Sequence, residues 1–176
     1  MPLCGKLLRA GHLHVMSLKP LLTKNLWGRV VKRWRAEKIE VRSGADPDAI
    51  ASFERKYGVV LPADVREYFA TVDGMNDNNI DDKTYRFWRL EEVKPVEDEL
   101  SDADGIVCSD RFAYPACFVF ADYCFHCWDY AVKLTDDPAQ SAPVYRVTFG
   151  EVPGEQMAAS FREFMERYAD DPRSII

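Results

Sequence analysis

The 176-residue sequence predicts an α+β protein. A single domain is expected, with a central, mostly antiparallel sheet of about four to six strands flanked by N-terminal helices and a C-terminal helix. Three stretches carry that prediction. Residues 46–74 read as two punctuated helices in tandem, residues 116–134 as an apolar hairpin, and residues 160–168 as a helix opened by a Ser-x-x-Glu box. Hydrophobic residues at 47% and aromatics at 12% supply the material for a core and argue against disorder. A chain of this length buries roughly two-thirds of its unfolded surface without help from a disulfide or a metal. The longest uncharged run, residues 112–121, is far short of the ~20 apolar residues that span a bilayer.

Charge divides the chain. Residues 1–42 hold ten Lys and Arg against two acids, a balance of +8, and the rest carries 13 against 27, a balance of −14, giving −6 in all. An acidic body disfavours nucleic acid, whose phosphates need a basic patch, and suits a basic protein partner. Residues 1–23 are expected to be a disordered or loosely attached extension, residues 24–170 the domain and residues 171–176 a tail. The acid-free lead also has the composition of an organellar transit peptide, and Met16 offers an alternative start; a secretory signal is disfavoured because Lys6 and Arg9 break the first apolar patch. Five cysteines, Cys4, Cys108, Cys117, Cys124 and Cys127, form an odd set outside any small secreted scaffold. They point to a reducing, cytoplasmic setting.

From Lys24 to Ala36, Leu26, Trp27, Val30, Val31 and Trp34 recur at helical spacing with Lys and Arg opposite. Such a stripe needs a core to cover it, and a surface-binding helix is the competing reading. Lys38–Arg42 is a short extended candidate. Asp46-Pro47 then starts a helix, Asp as N-cap and Pro at the first position. Ile50, Phe53 and Tyr57 line its inner face, and Gly58 is the left-handed C-cap. Val59-Val60-Leu61 is an extended joint, Pro62 opens the second helix at its first position, Val65, Tyr68, Phe69 and Val72 form its stripe, and Gly74 stops it.

Residues 75–82 form an Asn- and Asp-rich loop that suits a hard cation in donor type but lacks the EF-hand spacing, so a solvated turn is expected. Tyr85–Leu90 alternates as a strand. The acidic run from Glu91 to Asp104, built around Val93, Val96 and Leu100, is read as a helical turn and loop. Within residues 106–134, Ala116–Ala121 is a central strand, Asp122-Tyr123 the turn, and Phe125–Leu134 the return. Pro143–Phe149 is an edge strand closed by Gly150, and residues 151–154 are loop. Ser160 and Glu163 cap the last helix, with Phe161, Phe164, Met165 and Tyr168 on one face. Asp170-Asp171-Pro172 ends the fold, and the tail is expected to fray.

The joint Glu54, Gly58-Val59, Leu61-Pro62 is followed by Asp73-Gly74, by Phe87-Trp88 with Leu90, Glu92 and Val93, by Pro143-Val144-Tyr145, and by Ser160-Phe161 with Phe164-Met165. In that order the motifs, spread over residues 26–169, resemble the SUKH superfamily, the Smi/Knr-type domain of bacterial immunity proteins and fungal cell-wall regulators. Asp73 replaces the more usual Asn before the glycine. The resemblance implies a non-enzymatic protein-binding domain, specifically an immunity protein that occludes a cognate protein toxin, a basic nuclease being one candidate.

Two other readings stand beside it. One is a regulatory scaffold using helix 24–36 for docking. The other is a metal protein or small hydrolase built on Cys117, Cys124, His126 and Cys127. Zinc is disfavoured because His126 and Cys127, adjacent on a strand, would point to opposite faces, and a hydrolase because no helix N-terminus activates a thiol. No catalytic, cofactor-binding or metal-binding residue is therefore expected. Charge that steers and an aromatic that anchors single out Asp77, Asp81, Asp82, Trp88, Glu91 and Glu92 as the partner surface.

Overall fold

The computed structural model of the chain describes residues 19–101, 116–148 and 154–176. The expected lead over residues 1–15, Cys4 and Cys108, the acids Asp102 and Asp104, and the Phe149–Pro153 segment lie outside the described residues.

The first helix, α1 (Lys19–Ala36), begins five residues before the sequence pattern does. Leu26, Trp27, Val30 and Trp34 are buried in the main core. The stripe is thus spent on packing. Lys38, at φ 64°, closes the helix in the left-handed conformation, with Ile39 N–H donating to Trp34 O and Lys38 N–H to Arg35 O. That is a Schellman close with lysine in the usual glycine place. This close replaces the start of the strand expected at Lys38–Arg42, and no described strand includes those residues.

In α2 (Pro47–Tyr57), Asp46 caps Asp48 N–H at 2.8 Å and Gly58 adopts φ 64°. The Glu54 carboxylate then explains the joint to α3 (Ala63–Thr71). It accepts Leu61 N–H at 2.7 Å and pairs with Arg66, so one side chain holds the end of one helix, the extended linker and the first turns of the next. Pro62 is the N-cap rather than the first helical residue. Asp64 reaches further, accepting Arg162 N–H at 3.0 Å. After α3 the chain turns through Asp73 (φ 47°) and Gly74 (φ 71°). A Cβ on Gly74 would lie 2.4 Å from Trp88 O, so glycine is required there by space as well as by conformation.

The six-stranded sheet is antiparallel throughout: β1 (Tyr85–Phe87), β3 (Cys117–Tyr123), β4 (Trp128–Lys133), β5 (Val144–Val147) and β6 (Glu155–Ala158) are neighbours in that order. The short β2 (Lys94–Pro95) shares one edge of β3 with β1. Helix α4 (Val96–Ser101) follows β2 directly, where the sequence showed only a helical turn. Tyr85–Leu90 is a strand only as far as Phe87. Residues 90–92 turn, and Leu90 joins Tyr85 and Phe87 in the main core instead of lying opposite them.

Helices α1, α2, α3 and α5 (Phe161–Asp170) cover one face of this sheet with an aromatic core of Trp27, Trp34, Phe69, Phe87, Phe120, Phe164 and their neighbours. Ser160 caps α5 by accepting Glu163 N–H at 3.1 Å, as the box predicts. The opposite face carries a smaller cluster of Trp88, Val96, Leu100, Cys117, Val119, Ala131 and Val147. A bulge between Val119 and Ala121 inserts Phe120 and shifts which residues face which side. After it, Ala121 faces the helices and Asp122 turns toward Trp88 on the opposite side.

The C-terminus does not fray. Pro172–Ile175 forms a 3-10 turn, Ile175 is fully buried, and Tyr85 and Tyr130 hydroxyls donate to Pro172 O at 2.9 Å and Ile175 O at 2.5 Å. Two buried tyrosines on the sheet need acceptors, and the last residues provide them.

Candidate functional site

The residues expected at a partner surface divide into an outer and an inner set. Asp77 and Glu91 stand out from the edge formed by the loop after α3 and the turn after β1, with side chains 66% and 69% exposed. Asp82 is half-exposed beside them, and Glu92 lies lower. Asp81 and Trp88 are buried and so offer no contact surface, contrary to expectation. Asp81 accepts hydrogen bonds from Tyr168 Oη at 2.7 Å, Tyr85 N–H at 2.8 Å and Lys83 N–H at 2.9 Å. Those donors allow a carboxylate to stay inside. Trp88 is drawn under the sheet by Asp122, which accepts its indole N–H at 2.7 Å.

The outer acids are threaded by arginines that the charge count did not reveal. Arg89 spans Asp77 (2.8 Å), Glu91 (2.8 Å) and Glu92 (3.4 Å). Arg86 pairs with Glu92 and reaches Asp122 at 3.6 Å. Asp82 is held by Lys83 at 2.6 Å and Arg33 at 2.9 Å, and the Lys83 hydrogen bond in particular keeps its carboxyl below the usual range. Arg89-x-Glu91-Glu92 was the available signal, since Arg and Glu three residues apart meet on a tight turn. Beside this edge runs a groove of about 510 Å³ between α2 and the turn, lined by Arg42, Asp46, Lys56, Asp73, Arg89 and Glu91 among others. Asp73 accepts Leu90 N–H at 2.8 Å, and burial pushes its carboxyl upward.

The second place where chemistry gathers is the tip of the β3–β4 hairpin. The turn falls at Cys124–Cys127, two residues later than the Asp-Tyr signal suggested, because Asp122 and Tyr123 are still paired with Asp129 and Trp128. Cys124, Phe125 and His126 take φ of 52°, 57° and 63° in succession, a left-handed run that L-residues rarely adopt. His126 and Cys127 therefore occupy a turn and not a strand. The opposite-face objection to a shared ion no longer applies, but the thiol set still fails: Cys117 opens β3 and Cys124 follows its end, a strand length apart at about 3.3 Å per residue. Burial pushes the Cys117 thiol up to about 12, and a hydrogen bond with Cys124 raises that of Cys127. Neither is activated as a nucleophile.

What meets at the tip is a different group. His126 Nδ1 lies 3.0 Å from Asp129 Oδ1 and 3.6 Å from Glu99 Oε1. The ring packs edge-on to Trp88 at 5.9 Å. The hydrogen bond to Asp129 raises the imidazole above its ordinary pKa, and burial lifts Asp129 to about 6. At the apex Phe125 is 74% exposed, far more than any other large hydrophobic among the described residues.

Among the described residues no helix is long and apolar enough to cross a membrane. No curated protein is significantly similar to the chain. The family described as SMI1 / KNR4 family (SUKH-1) matches residues 44–167, from just before the cap of α2 to the last turn of α5. With the Glu54-centred joint, the antiparallel sheet and the closing helix in the places that the motifs require, the chain belongs to the SMI1/KNR4 family (SUKH-1).

Proposed function

We propose that this protein is a non-enzymatic binding domain, an immunity protein that neutralises a cognate protein toxin by occlusion, in the cytoplasm. The observation that carries the reading is the exposed carboxylate rim, Asp77, Asp82 and Glu91, on a body whose balance beyond residue 42 is −14. Such a rim steers a basic partner, and the groove next to it, with Arg42, Lys56, Asp46 and Glu91 on its walls, offers donors and acceptors of both signs for register. Arg89 holds Asp77 and Glu91 in place before a partner arrives, which lowers the ordering cost of binding. Asp81 and Trp88 act through the fold and Glu92 through Arg86 and Arg89, so they shape the rim from beneath. Leu26, Trp27, Val30 and Trp34 of α1 pack into the core, which favours this reading over a regulatory scaffold that docks through the apolar stripe of helix 24–36.

The test is co-purification with the product of the neighbouring open reading frame, followed by binding kinetics. Replacing Asp77 and Glu91 together by Lys should lower the association rate about tenfold at low salt, with the gap closing as salt rises. Unchanged kinetics in a folded double variant would remove this edge from the interface.

A further inference from the structure

We infer that Glu99, His126 and Asp129 form a binding site for a transition-metal dication of the Zn²⁺ type, joining the tip of the β3–β4 hairpin to α4. One ligand atom from each residue lies within 4.8 Å of the other two, and the pairs that include His126 are separated by 3.0 Å and 3.6 Å. Ligands about 2.0–2.1 Å from a tetrahedral ion lie about 3.3–3.5 Å from one another, so the observed separations bracket the required spacing. One imidazole and two carboxylates favour Zn²⁺ and its neighbours over Ca²⁺ or Mg²⁺, which take oxygen alone.

A second observation, independent of that spacing, points to a ligand. The Asp129 side chain is 0% exposed, and its Oδ2 has no hydrogen-bond partner among the described residues. A buried carboxylate left half-satisfied is costly, whereas the other two buried acids are met: Asp81 accepts three donors, and Asp122 accepts the Trp88 indole N–H with Arg86 at 3.6 Å. A dication held by the Asp129 carboxylate offsets the cost of that buried charge, with Glu99 Oε1 as the second anionic ligand.

The surroundings are those of a held site. Lys94 Nζ takes Glu99 Oε2 at 2.8 Å, leaving Oε1 toward His126. Trp88, anchored on Asp122, packs edge-on against the imidazole. The left-handed turn at Cys124–His126 places the histidine back over β4 instead of out along the hairpin. A shallow cavity of about 390 Å³, lined by Arg86, Trp88, Glu92, Lys94, Glu99 and His126, opens onto the cluster. It gives an ion a way in and leaves room for a fourth ligand, either water or a side chain of a bound partner. Cys124 and Cys127 are neighbours of this site and not part of it.

The experiment titrates the full-length, chelator-treated protein with Zn²⁺ by calorimetry and with Co²⁺ by visible absorption. One saturable site per chain is expected, with the absorption of a four-coordinate Co²⁺ lacking a thiolate band. His126→Asn, Asp129→Asn and Glu99→Gln should each weaken binding by about tenfold or more, while the double variant Cys124→Ser, Cys127→Ser should bind like the parent. Circular dichroism of each metal-free variant confirms its fold. Should Asp129→Asn not fold, Glu99→Gln, on the short surface helix, reads the same outcome. Absence of saturable binding, binding unchanged in the His126 and Glu99 variants, or binding lost in the cysteine double variant would each overturn the assignment.

Discussion

Two buried acids on opposite faces of the sheet, Asp81 and Asp129, are satisfied in different ways. On the helix side Asp81 sits among Tyr85, Tyr168 and Lys83 with three donors aimed at it, and it ties the loop after α3 to β1 and α5. On the other side Asp129 is sealed at least as well but has, among the described residues, one side-chain hydrogen-bond partner, a half-exposed histidine in a left-handed turn. A fold gains by completing the hydrogen bonds of an internal acid. An acid left incomplete beside other ligating groups marks a place where something else completes it. The helix side is closed by its own hydrogen bonds, while the hairpin tip and the neighbouring edge carry the exposed carboxylates and the incompletely paired Asp129.

The comparison breaks most readily on the helix side. Phe164, fully buried against Phe120 and Tyr130, is expected to cost about 3–5 kcal/mol when replaced by Ala, read as a shift in denaturant midpoint. A much smaller loss would mean that the aromatic layer is looser than its burial indicates. Next in size is Glu54→Ala, which strands Leu61 N–H and frees Arg66. A loss of about 1–3 kcal/mol is expected, and Glu54→Gln, which keeps an acceptor, should recover most of it.

The smallest change is a gain. Burial raises the Asp73 carboxyl, so its contribution to stability is complete below its unfolded pKa, about pH 4, and falls away as pH rises through the folded value. Asp73→Asn keeps an oxygen for Leu90 N–H and suits φ 47°. Thermal melts should show the variant level with the parent near pH 4 and more stable by about 0.5 kcal/mol at pH 7. A variant that trails at both pH values would show that the carboxylate, not the backbone bond, matters.

Much of the scaffold was legible because its signals are local. Asp46, Gly58, Gly74 and Ser160 act on their own backbone, and the stripes of α1, α3 and α5 recur within a helix turn. The hairpin turn was misplaced because nothing in Cys-Phe-His-Cys advertises positive φ, whereas Asp122 does look like a turn former; only pairing with Asp129 keeps it in the strand. The exposure of the expected partner residues is half legible for a related reason. Charge and aromaticity can be read from the sequence, but whether Asp81 or Trp88 faces inward depends on Tyr168 and Asp122, far away along the chain. Glu99 and Asp129 are not legible as companions of His126, because the three come from a helix, a turn and a strand that only the fold brings together.

The difference between these two acids is tested most directly by unfolding Asp81→Asn and Asp129→Asn side by side, in chelator and in excess Zn²⁺. In chelator, Asp81→Asn should lose about 1–3 kcal/mol and Asp129→Asn should lie within about 0.5 kcal/mol of the parent. Added Zn²⁺ should stabilise the parent and Asp81→Asn but not Asp129→Asn. Equal losses for the two variants in chelator, together with no effect of Zn²⁺ on the parent, would contradict the account.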